Sequence, residues 1–369
     1  MSQPPFTKII EALPTTVPFV GPEAQERARM KPFRARVGAN ESVFGPSPMA
    51  IAAMAEAARD VWKYCDPDNF DLIHAIAAFH DVSPENVVII EGIDGGLGLA
   101  NRLFVNPGDA VVTSDGAYPT FNFHVAACGG QLFKVPFRDD KEDIDALLST
   151  AAAQKARILY LTNPDNPMGS WWSSDAIEEL IAQLPDGTML ALDEAYIDTA
   201  PAGTAPPIDT NNPMVLRFRT FSKVYGMAGA RIGYCIGEAA VIRQFEKVRN
   251  HYGINRIAQV GAVAAIQDQA YLSETVRRIA EARDAIVRIS KANGLRPLTS
   301  ATNFVTVDCG RDGDYARAIL QGLLERDIFV RMPGVAPLDR CVRIGAGLPE
   351  DMVLLEQVLP EVLASVGVN

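Results

Sequence analysis

Short runs of β-branched and aliphatic residues recur through the middle of the chain: NVVII at 86–90, DAVVTS at 109–114, RILYLT at 157–162, TMLALDE at 188–194, MVLRFRT at 214–220 and ARIGYCI at 230–236. Stretches with helical spacing of apolar residues separate most of them. Repeated strand–helix–strand spacing demands crossover connections, and so predicts a mainly parallel sheet covered by helices on both faces. The unbroken apolar character of LYL and MLAL fits strands buried on both sides. Upstream, the first forty residues are Pro-rich and irregular, with one helix predicted where Gly21-Pro22 precedes EAQERARM. Proline at the first helical position sacrifices only an N–H that has no helical partner there. Further helices are predicted from Ala50 to about Arg59 and from Phe70 to Phe79. Beyond about Asn250 the pattern turns to long helices, IAQVGAVAAIQ and YLSETVRRIAEARDAIVRISKAN, the second closed by Gly294 as a C-cap. The strands TNFVTVD, DIFVRM and DRCVRIG follow, with helices between and after them. The predicted fold class is therefore α/β: a large domain over residues 40–252 with a mainly parallel sheet sandwiched by helices, plus a smaller α+β domain from residues 253–369 with the N-terminal segment 1–39 packed on it.

Composition narrows the function classes. A chain of 369 residues can bury a large core without disulfides or a structural metal. Its 34 Lys and Arg against 45 Asp and Glu leave a net charge of −11, which argues against a nucleic-acid partner, whose footprint is a basic face. The five cysteines are scattered without a C-x-x-C pair and read as reduced thiols of a cytoplasmic protein. The four histidines have no zinc-type spacing, so no metal is expected. Neither a signal peptide nor an apolar stretch of the roughly 18 residues needed for a membrane span is visible, so no membrane partner is expected.

In open α/β sheets, ligands bind outside the carboxyl ends of the strands. After NVVII comes Glu91-Gly92-Ile93-Asp94-Gly95-Gly96, a glycine-rich helix entry whose N–H groups suit a phosphate. RILYLT leads to Asn163-Pro164-Asp165-Asn166-Pro167-Met168-Gly169, and TMLALDE delivers Asp193 with Tyr196 three residues on. The next strand runs into Thr220-Phe221-Ser222-Lys223, with Arg231 eight residues beyond the lysine. Singly, a glycine-rich turn, an Asn-Pro repeat or a Ser-Lys pair is ordinary loop punctuation. Together they put an acid, an amide, a phenol, a hydroxyl, a lysine and an arginine at the ends of one sheet beside a phosphate-type turn. Pyridoxal phosphate needs that set: a lysine for its Schiff base, an acid for its ring nitrogen and donors for its phosphate. Phe121, on the Pro119-Thr120-Phe121 turn, offers a ring to stack on it. A dinucleotide site is disfavoured because Gly96-x-Gly98-x-x-Asn101 lacks the third small residue, and no P-loop is present.

These residues resemble the fold-type I pyridoxal-phosphate aminotransferases, in the histidinol-phosphate aminotransferase-like branch, from about Val37 to Pro349. The markers are GANESVFGPSP at 38–48, YCDPDN at 64–69, EGIDGG at 91–96, YPTF at 118–121, NPDNPMG at 163–169, LDEAYID at 192–198, TFSKVYGMAGARIGY at 220–234 and VRIGAG at 342–347. The resemblance implies Lys223 as the Schiff-base lysine and proton shuttle, Asp193 on the pyridinium nitrogen, and Asn166 and Tyr196 on the phenolic oxygen. It implies a phosphate cradle of Ser222, Arg231, Thr220 and the backbone around Ile93 and Asp94. Tyr64 matches a tyrosine that reaches the phosphate in the neighbouring subunit, implying a homodimer with shared active sites. Arg343 corresponds to the arginine gripping a substrate carboxylate, a bidentate task that Lys performs poorly. Arg331 corresponds to a second arginine that helps hold a substrate phosphate. The chain departs from the pattern at Gly95 (usually acidic), Phe121 (commonly tyrosine), Met168 (threonine) and Phe19, which stands where a tyrosine typically meets the substrate.

The implied activity is a ping-pong transamination from a small-molecule amino donor, histidinol-phosphate-like or aromatic, to an oxo acid, 2-oxoglutarate. The alternatives are a pyridoxal-phosphate decarboxylase of an amino-acid phosphate and, more distantly, a nicotinamide oxidoreductase or a non-enzymatic ligand sensor.

Overall fold

A computed structural model describes residues 4–15 and 20–367. Its strands are β1 (Ala35–Arg36), β2 (Val87–Ile90), β3 (Ala110–Ser114), β4 (Gln131–Val135), β5 (Ile158–Thr162), β6 (Met189–Asp193), β7 (Val215–Thr220), β8 (Gly233–Ile236), β9 (Arg296–Pro297), β10 (Phe304–Asp308), β11 (Ile328–Phe329) and β12 (Cys341–Gly345). Seven of them form one sheet in the order β2-β8-β7-β6-β5-β3-β4. Only β8 runs against its neighbours; the other pairings are parallel. The expected parallel α/β architecture is thus present.

Its strands are buried on both faces, as their apolar runs require. Ile158 and Tyr160 pack with Leu97, Phe121 and Phe218 on one side, while Leu159 and Leu161 pack with Leu147 and Ile177 on the other. The strand β4 is an addition to the sequence reading: QLFKV is an edge strand with Gln131 and Lys134 exposed, so its polar positions hide it from a search for apolar runs.

A second, antiparallel sheet of order β12-β10-β9 carries Val305, Val307, Val342 and Ile344 against Ile286, Ile319, Leu323, Leu355 and Leu359 of the covering helices. The N-terminal segment joins this layer. β1 pairs in parallel with β11, Ala35 opposite Ile328, and the Val37 carbonyl accepts from the Gly345 N–H at 2.6 Å.

Helix ends follow local chemistry. Pro22 opens the helix Pro22–Arg29 as expected. The helix expected from Ala50 starts earlier, at Pro48, because the Ser47 hydroxyl accepts from the Ala50 N–H at 3.1 Å and proline fits the first turn. Gly294, with φ +76°, follows the helix Gln269–Ala292, and the Leu295 N–H turns back to the Ser290 carbonyl at 3.0 Å.

Candidate active site

The carboxyl ends of β2, β3, β5, β6 and β7 open into one cleft of about 530 Å³. At its floor the helix Gly92–Phe104 begins directly after β2, with Ile93 and Asp94 on the wall. Gly92 has φ +71°, and a Cβ there would stand 2.4 Å from a guanidinium nitrogen of Arg231. Glycine therefore lets the guanidinium lie against the helix entry. Arg231, itself left-handed at φ 54°, donates to the Ala228 carbonyl at 2.9 Å and to the Ser222 hydroxyl at 3.4 Å. The Thr220 hydroxyl accepts from the Ser222 N–H at 3.0 Å and donates to the Ser222 Oγ at 2.9 Å. A helix N-terminus, a guanidinium and two hydroxyls thus converge on one point, an arrangement suited to a phosphate.

Asp193 ends β6. Its Oδ2 accepts from the Tyr160 hydroxyl at 2.8 Å and its Oδ1 from the Ala195 N–H at 2.9 Å, while burial pushes its pKa up to about 6. Lys223 stands across the same cleft, where burial and then the charge of Arg343 lower its ammonium to about 8. Its Nζ donates to the Asn40 carbonyl at 3.3 Å and lies 5.4 Å from the centre of the Tyr196 ring. Tyr196 is 4% exposed, packs edge-on to Phe304 at 5.5 Å, and accepts at its hydroxyl from Asn40 Nδ2 at 2.9 Å.

The opposite wall carries two arginines brought together by strand pairing. The Arg343 N–H donates to the Arg331 carbonyl at 2.6 Å, and Arg331 returns a bond at 3.2 Å. The Arg343 guanidinium donates to Asn166 Oδ1 and, at 3.1 Å, to the Gly38 carbonyl; burial, with Arg331 nearby, lowers it to about 10. Arg331 donates to the Val20 carbonyl at 2.8 Å.

One expectation is corrected. Phe121 is fully buried in the helix Pro119–Ala127, stacked on Tyr160 at 4.2 Å, and does not line the cleft. Because the helix opens at Pro119, Tyr118 stands before it at the N-cap and supplies the aromatic wall. Burial pushes the Tyr118 hydroxyl up to about 12. The YPTF run showed two aromatics but not where the helix begins. Tyr64 lies outside its own chain's cleft, 81% exposed and 5.0 Å from the Tyr252 ring. Phe19 lies outside the described residues. Asn40 and Tyr160 were not anticipated: one looked like loop polarity, the other like core.

Comparison with known proteins bears on this geometry. The family "Aminotransferase class I and II" matches residues 36–355. The histidinol-phosphate aminotransferase of Moorella thermoacetica is 32% identical over 333 residues, covering 89% of this chain and 85% of that one. That of Rhodospirillum centenum is 33% identical over 322 residues, covering 86% and 88%. Among solved structures, the histidinol-phosphate aminotransferase of Sinorhizobium meliloti in complex with pyridoxal-5'-phosphate superposes with a TM-score of 0.96 at 50% identity, covering 99% of each chain. Half or more of the sequence thus follows one family pattern, and the chain belongs to the class I and II aminotransferases.

Proposed function

We propose that this aminotransferase binds pyridoxal phosphate in the cleft and moves an amino group from a phosphate-bearing donor of the histidinol-phosphate type to 2-oxoglutarate, in two half-reactions of a ping-pong cycle. The observation that carries the donor assignment is the Arg331–Arg343 pair: two guanidinium groups on cross-strand partners, facing the same cleft as Lys223. Burial, with Arg331 nearby, already lowers the pKa of the Arg343 guanidinium to about 10, so an anionic substrate relieves a standing electrostatic cost.

The residues present fit the cofactor. The Arg231, Ser222 and Thr220 cluster at the helix entry would hold its phosphate, and Asp193 at the end of β6 would pair with its ring nitrogen. Two buried polar atoms of cleft residues, Asn40 Oδ1 and Arg343 Nε, have no hydrogen-bond partner among the described residues. When bound, pyridoxal phosphate supplies an electron sink for the substrate's α-carbon electrons. Asp193 holds the proton on the ring nitrogen, and Tyr196 and Asn166 address the ring oxygen. Lys223, whose ammonium burial brings to about 8, would serve as the base that takes the proton from the donor's α-carbon, a transfer worth on the order of 10²–10⁴-fold in rate. Arg343 orients the carboxylate of the oxo acid and Arg331 the distal phosphate of the donor.

Three further statements belong to this proposal. The chain divides into a large unit, residues 40–252, and a smaller one, residues 1–39 with 253–369, a reading supported by the apolar cluster around the second sheet, while Ala258, Ala262 and Ala265 pack with Ile76, Val87 and Phe221 of the large unit. It works as a homodimer with shared sites, consistent with the exposure of Trp62 and Tyr64 at 79% and 81%. It resides in the cytoplasm, a reading supported by five free cysteines. No helix among the described residues is long and apolar enough to cross a membrane.

The test is an absorption spectrum of the purified protein followed by a donor panel. A visible band should bleach with histidinol phosphate and return with 2-oxoglutarate. Arg331→Ala should lower kcat/KM for the phosphorylated donor by about 10–100-fold, the scale of bonds between charged groups, while sparing the 2-oxoglutarate half-reaction. Equal losses in both half-reactions would remove Arg331 from the donor's phosphate. Bleaching by an unphosphorylated donor only would overturn the donor class.

A further inference from the structure

The segment Val37–Glu41 runs between the two sheets and touches three functional groups of the cleft. The Gly38 carbonyl accepts from Arg343 at 3.1 Å, the Asn40 carbonyl accepts from Lys223 Nζ at 3.3 Å, and the Asn40 carboxamide reaches the Tyr196 hydroxyl at 2.9 Å. The donor and cofactor reading gives Asn40 no role in the chemistry, yet it is 4% exposed, lines the cleft and holds a left-handed backbone at φ 56°. Asparagine is one of the few side-chain-bearing residues that visits that region readily. Its carbonyl is also held by Asn303 Nδ2 at 3.0 Å, so its position is fixed from both sheets.

We propose that Asn40 is a positioning residue: its carboxamide donates to the Tyr196 oxygen, which leaves the phenolic proton directed into the cleft towards the ring oxygen of bound pyridoxal phosphate. The inference rests on the cofactor reading given above. A phenol has one proton to give, and its oxygen can accept as well. With Asn40 Nδ2 occupying an acceptor position of that oxygen, the proton is free for another acceptor. The ring cannot swing away to compensate, because Phe304 packs against it at 5.5 Å. Burial also pushes the Tyr196 hydroxyl up to about 12, so it stays a protonated donor throughout the neutral range.

A proton donated to the ring oxygen draws off charge that would otherwise hold a neighbouring proton, and so depresses the pH at which the visible band of the cofactor-loaded enzyme titrates. Loosening that donation raises the midpoint. The informative variant is Asn40→Gly, because glycine keeps the left-handed backbone and the carbonyl bonds to Lys223 and Asn303 while deleting only the carboxamide. Its band midpoint should rise by about one pH unit, the scale of one hydrogen bond to a charged group. In a Tyr196→Phe background the same substitution should leave the midpoint unmoved. Asn40→Asp offers a second arm if the glycine variant folds poorly. It has the same shape and tolerates the same backbone, but can only accept from the phenol, so its upward shift should be larger with Tyr196 present than in the Tyr196→Phe background.

Shifts of equal size in the two backgrounds, or no shift in either, would overturn the role of Asn40 while leaving the cofactor in place. A wild-type protein that stays colourless with added pyridoxal phosphate would instead overturn the cofactor reading, and Asn40 with it.

Discussion

Gly92→Ala puts the cradle geometry to a quantitative test. Two separate costs follow from the structure. The first is conformational: at φ +71° an alanine Cβ crowds the following carbonyl, costing about 1–2 kcal/mol. The second is a collision, since the new methyl would lie 2.4 Å from a terminal nitrogen of Arg231 and 3.0 Å from its central carbon. The guanidinium must withdraw, giving up its bonds to the Ser222 hydroxyl and the Ala228 carbonyl. A bond from a guanidinium to a phosphate contributes roughly 1.5–3 kcal/mol, so withdrawal should weaken pyridoxal phosphate binding by about 10–100-fold. Gly108→Ala separates the two costs. Gly108 is also left-handed, at φ +89°, but a Cβ there meets nothing within 4 Å. Both variants should lower the melting temperature of the cofactor-free protein by a few degrees, whereas only Gly92→Ala should raise the Kd for the cofactor, measured by absorbance titration. Indistinguishable cofactor affinities in the two variants would refute the role assigned to the Gly92–Arg231 contact.

Two other outcomes are expected. Tyr160→Phe deletes the 2.8 Å bond to Asp193 but keeps the stack on Phe121, so the carboxylate loses a stabilising donor and its pKa moves further up; the acid limb of the kcat/KM profile should shift to higher pH, and superimposable profiles would refute the assignment. Lys223 titrates at about 8 in the folded cofactor-free protein against 10.5 in a free chain, so between those values the unfolded chain binds more protons and stability rises with pH. Below pH 8 the full cost, at most about 3 kcal/mol, is present. Lys223→Met should therefore stabilise the cofactor-free protein at pH 7 and abolish that slope in urea unfolding; an unchanged slope would show that Lys223 is not its source.

What could be read from the sequence, and what could not, follows from where each constraint acts. The central parallel strands announce themselves because burial on both faces forces unbroken runs such as LYL and MLAL, whereas the edge strand β4 is half solvated and spells QLFKV, which no such pattern captures. Asp193, Thr220, Ser222 and Lys223 are legible for a related reason: they follow directly on strands whose ends must open on the ligand side of the sheet. The residues that orient them are not, because each orienting contact joins segments far apart in the chain. Tyr160 reads as core until the pairing of β5 with β6 carries its hydroxyl to Asp193, 33 positions away. Asn40 reaches Tyr196 across 156 positions and Lys223 across 183. Even a local error, the exchange of Phe121 for Tyr118, turns on the single residue at which a helix begins. Chemistry carried by one side chain on one element can be inferred from a linear string, but the direction of a proton depends on the hydrogen-bond partner behind it. The place of Lys223 in the cleft was thus accessible from sequence, while the partner behind the Tyr196 hydroxyl required the crossing of the Val37–Glu41 segment through the cleft.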